Sequence, residues 1–182
     1  MIRRTIAALL LSLSGLSAQT PPPASAPPPA KEIEKPVVTK HSIQLSGKTL
    51  NYTATVGSLP VRDDKGKKVA EVVFTAYILD GPKDPDRPVT FAFNGGPGAA
   101  SVYLNLGAIG PRRGQFGAQG DGPSDSARLV DNPGTWLDAT DMVFIDPVGT
   151  GFSRSLVDKD ESKKRFYSIK PDIEYLSRIV YD

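Results

Sequence analysis

Residues 89–101 read VTFAFNGGPGAAS, and the fold turns on how this stretch is understood. Its first five residues carry β-branched and aromatic side chains that do not alternate with polar ones, the pattern of a strand buried on both faces. Asn94, Gly95 and Gly96 follow, and they allow a sharp turn without a Cβ clash. Pro97 suits the first turn of a helix, where its missing N–H has no intrahelical partner to lose. Val102, Leu104 and Leu106 then offer apolar side chains for packing. Strand, glycine turn and helix start together aim the amide N–H groups of Gly95, Gly96 and Gly98 into one small space. Such a nest, reinforced by the helix dipole, suits an anion or a developing oxyanion. The same residues also fit a plain strand-to-helix turn that needs glycine only for its dihedral angles. The turn by itself does not choose between the two.

A second apolar run, DMVFID at residues 141–146, also ends in a turn, Pro147-Val148-Gly149-Thr150-Gly151. Two such strands joined by a helix-bearing crossover indicate a parallel α/β sheet. Gly149-Thr150-Gly151 lacks the lysine and the spaced third glycine of a nucleotide loop. Upstream, Leu50, Tyr52, Ala54 and Val56 alternate with polar residues, which predicts a half-buried strand. Residues 69–79 predict its antiparallel partner across a charged tip at 63–68. Residues 80–88 read as a loop, and residues 107–131 as a long irregular stretch. Trp136 is expected in the core. Pro171-Asp172 is expected to open a helix with Ile173, Leu176 and Val180 on its packed face.

Three blocks, in order, resemble the serine carboxypeptidases, peptidases of the α/β-hydrolase fold. Phe91-Ala92-Phe93-Asn94-Gly95-Gly96-Pro97-Gly98-Ala99-Ala100-Ser101 matches the oxyanion loop of the family's bacterial members, F-x-F-N-G-G-P-G-[AC]-x-S. Asn132-Pro133 with Trp136-Leu137-Asp138 matches the next block, and residues 141–153 match the third. The resemblance implies that Gly96 donates one oxyanion N–H, and that Asn94 and the Gly95 amide hold the C-terminal carboxylate of a peptide. It implies an acyl-enzyme exopeptidase that needs no metal or organic cofactor. Its partner would be a peptide substrate with a free C-terminal carboxylate. Residues 107–131 would border the cleft, with Arg112 and Arg113 either attracting a carboxylate or facing solvent. Two departures stand out. Many members have an acid just before the Gly-Pro matched by Gly110-Pro111, where this chain has Ala108-Ile109. Ala99 stands where eukaryotic relatives have a disulfide cysteine.

The family's nucleophile elbow, Gly-x-Ser-x-Gly, is absent from these 182 residues, and the single histidine is His41, placed ahead of the first clear strand. Pairing His41 with Ser101 or Ser153 has nothing to recommend it, since a nucleophile needs a positioned base. The expected fold class is therefore α/β: the N-terminal part of an α/β-hydrolase sheet, an antiparallel meander leading into parallel strands, left incomplete. Such a sheet would leave residues 89–93 with an unpaired apolar edge. A chain of this kind would be inactive by itself. Two other readings stay open: an acyltransferase or esterase on the same scaffold, and a non-catalytic secreted module that binds carboxylates.

Composition narrows the setting. A net charge of +2 with acids and bases interspersed gives no nucleic-acid stripe. With no cysteine there is no disulfide framework, thiolate chemistry or lipoprotein anchor. Residues 1–18, with Arg3 and Arg4, an apolar run and a small-residue end, read as a secretory signal peptide too short to span a bilayer. A secreted or periplasmic location without a membrane anchor follows. Residues 19–38 read as a Pro/Ala-rich disordered linker, and 39–182 as the partial catalytic domain.

Overall fold

The computed structural model describes residues 35–94, 98–117 and 127–181. The leader, most of the linker, and Gly95, Gly96 and Pro97 lie outside the described residues. The body is a mixed sheet whose strands, in spatial order, are β1 (Val37–Leu45), β2 (Lys48–Arg62), β3 (Lys68–Leu79), β7 (Asp141–Ile145) and β4 (Val89–Ala92), with the short β8 (Arg154–Ser155) beside β3. Strands β1, β2 and β3 form the antiparallel meander. Gly57 of β2 lies opposite Phe74 of β3, and a Cβ there would stand 2.7 Å from the Phe74 ring. Glycine is what lets that ring lie flat across the ladder.

Strand β7 pairs antiparallel with β3 and parallel with β4. Period-two alternation splits β7 between two cores. Met142 and Phe144 join Ile43, Tyr52, Ala92 and Leu137 on one face, where Leu104 and Ile109 pack against them. Ile145 joins Val72, Val148, Phe166, Leu176 and Ile179 on the other. The second face is covered by α2 (Lys159–Phe166) and α3 (Ile169–Tyr181). Buried Glu71 anchors the short β8 by its ion pair with Arg154 at 2.7 Å, beside Lys68 at 3.1 Å.

Several expectations are corrected. Residues 89–93 are not buried on both faces: β4 ends the sheet, its outer edge has no partner among the described residues, and Phe91 is 40% exposed. His41 lies inside β1 rather than ahead of the first strand. Helix α1 is only Val102–Leu104 and passes into a π-helical turn, Asn105–Ile109, so Val102 stays exposed while Leu104 packs. The stretch 107–131 is not irregular throughout: β5 (Arg112–Phe116) and β6 (Ala127–Asp131) pair as an antiparallel ribbon. Trp136 is 51% exposed, not core. In α3 the helix begins two residues before Pro171, and the buried residues are Tyr175, Leu176 and Ile179, leaving Ile173 and Val180 outward. Proline is tolerated there because the first-turn N–H groups have no intrahelical acceptor.

Candidate functional site

Because β4 and β7 are parallel, their carboxyl ends stand side by side. In open α/β sheets, ligands bind at that end of the strands. Asn94 lies just past β4, and Asp146 just past β7. Ser101 joins them. It is buried at 1% exposure, its amide donates to Asp146 Oδ1 at 2.8 Å, and its hydroxyl donates to the Ile145 carbonyl. The Asn94 amide in turn donates to Ser101 Oγ at 3.3 Å. Both ends of the glycine turn are thereby tied to the end of β7, one through Asn94 and the other through Ser101. Gly95 and Gly96, the residues expected to donate to the oxyanion and the carboxylate, fall in the undescribed gap between these anchors.

The turn after β7 is built around the same carboxylate. Asp146 Oδ2 accepts from the Phe152 amide at 3.4 Å, while Ser153 Oγ donates to the Asp146 carbonyl at 2.7 Å and accepts from the Val73 amide at 2.7 Å. Thr150 Oγ1 donates to the Pro147 carbonyl at 2.8 Å. Gly151 has φ +50°, and a Cβ there would collide with Asp146 Oδ2. Gly149, with φ +84°, approaches the Tyr167 hydroxyl as closely. These glycines serve close packing and left-handed backbone, not phosphate binding. The Val148 amide donates to the Tyr175 hydroxyl at 3.0 Å, and burial holds that phenol far above its ordinary pKa.

Asn94 opens onto a cavity of about 220 Å³ shared with Thr150, Tyr167, Ser168, Ile169 and Asp172. A space of this size is enough for a small side chain. Ser101 and Asp146, which fix the turn, were present in the sequence blocks as letters without a role. Their signal was position: each stands immediately beside a glycine-bearing turn.

The middle block has a structural explanation. Asn132 Nδ2 donates to the carbonyls of Ala108 at 2.7 Å and Gly110 at 2.8 Å, and its Oδ1 accepts from the Gly134 amide at 3.0 Å. Thr135 Oγ1 and the Trp136 amide both donate to the Ile109 carbonyl. The block therefore clasps the end of the π-helical turn, and Trp136 contributes its backbone there while its ring faces outward. Arg112 lies 3.9 Å from Asp131 and donates to the Ser42 carbonyl at 3.3 Å, which fastens the β5–β6 ribbon to β1. Arg113 is exposed. His41 stacks on Tyr52 and shares a 2.8 Å hydrogen bond with Thr39 Oγ1. With Ser101 and Ser153 both donating to main-chain carbonyls near β7, neither serine is paired with that histidine. Among the described residues, no group of three or more His, Asp or Glu converges as a metal site, and no helix is long and apolar enough to cross a membrane.

Known proteins resemble this chain in sequence. A family model for serine carboxypeptidases matches residues 49–170. The pheromone-processing carboxypeptidase KEX1 of Saccharomyces cerevisiae is 33% identical over 132 residues, 69% of this chain and 17% of that protein. Serine carboxypeptidase-like 50 of Arabidopsis thaliana is 31% identical over 105 residues, 57% of this chain and 22% of that protein. The pheromone-processing carboxypeptidase kex1 of Sclerotinia sclerotiorum is 44% identical over 68 residues, 37% of this chain and 9% of that protein. The chain thus spans between 9% and 22% of the length of these relatives. The match takes in β3 and nearly all of β2, the glycine turn, the Asn132 clasp and the Asp146 corner, and this chain belongs to the serine carboxypeptidase family.

Proposed function

We propose that this chain is the oxyanion- and carboxylate-binding half of a bacterial-type, secreted serine carboxypeptidase with an α/β-hydrolase fold. In this reading Gly96 supplies one oxyanion N–H, and Asn94 with the Gly95 amide holds the terminal carboxylate of a peptide substrate. An uncharged amide and backbone N–H groups bind a carboxylate without a buried cation, which avoids the cost of desolvating one. Release of the last residue through an acyl-enzyme needs a nucleophile elbow, and the 182 residues contain no Gly-x-Ser-x-Gly. By itself the chain binds but does not cleave. The outer edge of β4, without a partner among the described residues, and the outward Ile169, Ile173 and Val180 of α3 support a sheet that takes more polypeptide to complete. Residues 1–18 act as the signal peptide in this scheme, and the chain between them and β1, which begins at Val37, acts as a tether.

The observation that carries the proposal is the family match over residues 49–170, which takes in the turn after β4. Calorimetry with a short peptide and with its C-terminal amide tests it. The free acid is expected to bind about tenfold tighter, the difference made by one or two hydrogen bonds to a charged group. Asn94→Ala should remove most of that margin. A fluorophosphonate probe should leave the chain unlabelled. Equal binding of acid and amide, or serine labelling of this chain, would refute the assignment.

A further inference from the structure

A larger cavity, about 540 Å³, lies between the far end of β2 and helices α2 and α3. Leu59, Val61, Val69, Phe166, Tyr175 and Ile179 give it an apolar floor. Its rim is charged, and most of those charges are already engaged. Arg62 donates to the Gly66 carbonyl at 2.9 Å, and Arg165 pairs with Glu161 at 2.7 Å. Asp63 accepts from the amides of Lys65 and Lys67, and Glu174 faces Lys170 at 4.0 Å. Lys164 of α2 and Arg178 of α3 make no hydrogen bond or ion pair among the described residues, and Asp64 is the only unpaired acid at the rim. Hydrogen bonds to the backbone leave a side chain's charge in place, so the lining cations Arg62, Lys164, Arg165 and Arg178 outnumber the acids Asp63, Asp64 and Glu174 by one.

Strand direction fixes where this cavity stands relative to Asn94. β2 is antiparallel to β3, and β3 is antiparallel to β7, so β2 runs in the same sense as β7 and β4. The carboxyl end of β2 therefore lies at the same end of the sheet as the glycine turn. Three strand spacings separate β2 from β4, about 14 Å laterally. The cavity begins at Leu59, opposite Val72, a step beyond the level where the Asp146 amide meets the Val73 carbonyl. The whole span is about 15–20 Å, the reach of five or six extended residues. Phe166 lines both this cavity and the one at Asn94.

We propose, building on the carboxypeptidase reading above, that this cavity is a second contact site for the same peptide substrate. It takes an apolar stretch carrying an acidic side chain about five residues before the C-terminus. The apolar floor receives the flanking side chains, while Arg178, with Lys164 opposite, pairs with the acid. The planar guanidinium fork of Arg178 can grip the carboxylate bidentately in a defined orientation, while Lys164 adds a point charge. Substrates are then selected at two points: any free C-terminus at Asn94, and an upstream acid at the rim.

Fluorescence anisotropy with labelled heptapeptides tests both points on the full 182-residue chain. Four peptides are used, with Glu or Lys at the fifth residue from the end, each as free acid and as amide. The Glu peptide should bind about threefold to tenfold tighter than the Lys peptide, as expected for partly exposed ion pairs. Arg178→Glu should invert that preference and leave the ratio of acid to amide unchanged. Arg178 is an exposed helix position, and an unchanged melting curve checks that the variant folds. Arg178→Gln should abolish the preference without inverting it. Equal binding of the Glu and Lys peptides, or a preference that ignores both substitutions, would overturn the second site and leave the carboxylate grip standing. Equal binding of acid and amide with the Glu preference intact would overturn the grip alone. No binding of any peptide would overturn both.

Discussion

β4 and β7 lie side by side in parallel register, and the structure treats them very differently. β7 is hydrogen-bonded on both edges and feeds two cores, with Met142 at 0% and Ile145 at 1% exposure. Among the described residues β4 is paired on one edge and covered on one face: Ala92 is buried, while Val89, Phe91 and Phe93 look out. The turn after β7 is saturated with hydrogen bonds through Asp146, Ser153, Thr150 and Tyr175. Among the described residues, the turn after β4 is tied down at Asn94 and at Ser101. The difference teaches a division of labour. β7 and its turn form an abutment, and the described ends of the glycine turn, Asn94 and Ser101, are fastened to it.

The sharpest way to break that comparison is to damage the abutment. Gly151→Ala places a methyl group against Asp146 Oδ2 in a left-handed backbone, so Asp146 must release the amides it accepts. The expected loss is about 4 kcal/mol, from left-handed strain plus unsatisfied amides. Denaturant unfolding should show a greatly lowered midpoint, and peptide-acid binding should fall with it. If the variant is as stable as the parent, the glycine turn is not hung from Asp146.

A matched pair of core changes comes next. Met142→Ala in β7 should cost about 3 kcal/mol, and Phe91→Ala in β4 about 1 kcal/mol or less, because truncating a buried side chain leaves a cavity and truncating an exposed one does not. Equal losses in urea melts would mean that β4 is as well covered as β7.

Alkaline pH probes the β7 side selectively. Burial raises the pKa of Tyr52, Tyr77 and Tyr175 above the ordinary 10.0, and Tyr77 packs edge-on against Phe144 while Tyr175 holds Val148. The folded state keeps these phenols protonated where the unfolded chain ionises. Their contribution is complete below pH 10 and is lost as pH rises from there toward the folded pKa values. The urea midpoint should therefore fall steadily above about pH 10, with a shallower fall in Tyr175→Phe. A midpoint that stays flat through that range would show that the burial of these phenols does not matter to folding.

The smallest effect lies away from both strands. Asp158 caps α2 by accepting from the amides of Asp160 and Glu161, and those bonds hold its carboxyl below the usual range. A lowered folded pKa means the cap is present at neutral pH and lost as acid titrates through that lowered value. Far-ultraviolet circular dichroism should show a slight loss of helix below about pH 4 that is missing in Asp158→Ala. No difference between the two would mean the cap adds nothing.

How much of this was legible in the sequence follows from which residues are buried. The meander was readable because Tyr52 and Ala54 alternate with polar neighbours and do face a core. β7 was readable as a run that serves both faces. β4 carried the same signal, but a strand's letters do not say whether a neighbour is present on each side. β1 went unread because only Ile43 among its nine residues is buried. The β5–β6 ribbon has no fully buried residue, so nothing in RRGQF or ARLVD alternates usefully. α2, KDESKKRF, hides its packing in Ser162 and Phe166 alone. In α3 apolar residues flank Leu176 on both sides, so the spacing fits Ile173 and Val180 as well as the Tyr175 and Ile179 that pack. At the candidate site, the turn and Asn94 were visible as a pattern. Ser101 and Asp146 were not, since their work is hydrogen bonding across 45 residues of chain.

The central claim is that the amides after β4 form a cradle for a peptide carboxylate, and amide chemical shifts test it most directly. The chain is labelled with nitrogen-15 glycine and titrated with a short peptide, then with the same peptide as its C-terminal amide. The account predicts that the signals of Gly95, Gly96 and Gly98 move with the free acid and stay still with the amide, while Gly149 and Gly151 barely respond to either. Equal shifts with both peptides, or no shift at Gly95 and Gly96, would contradict it.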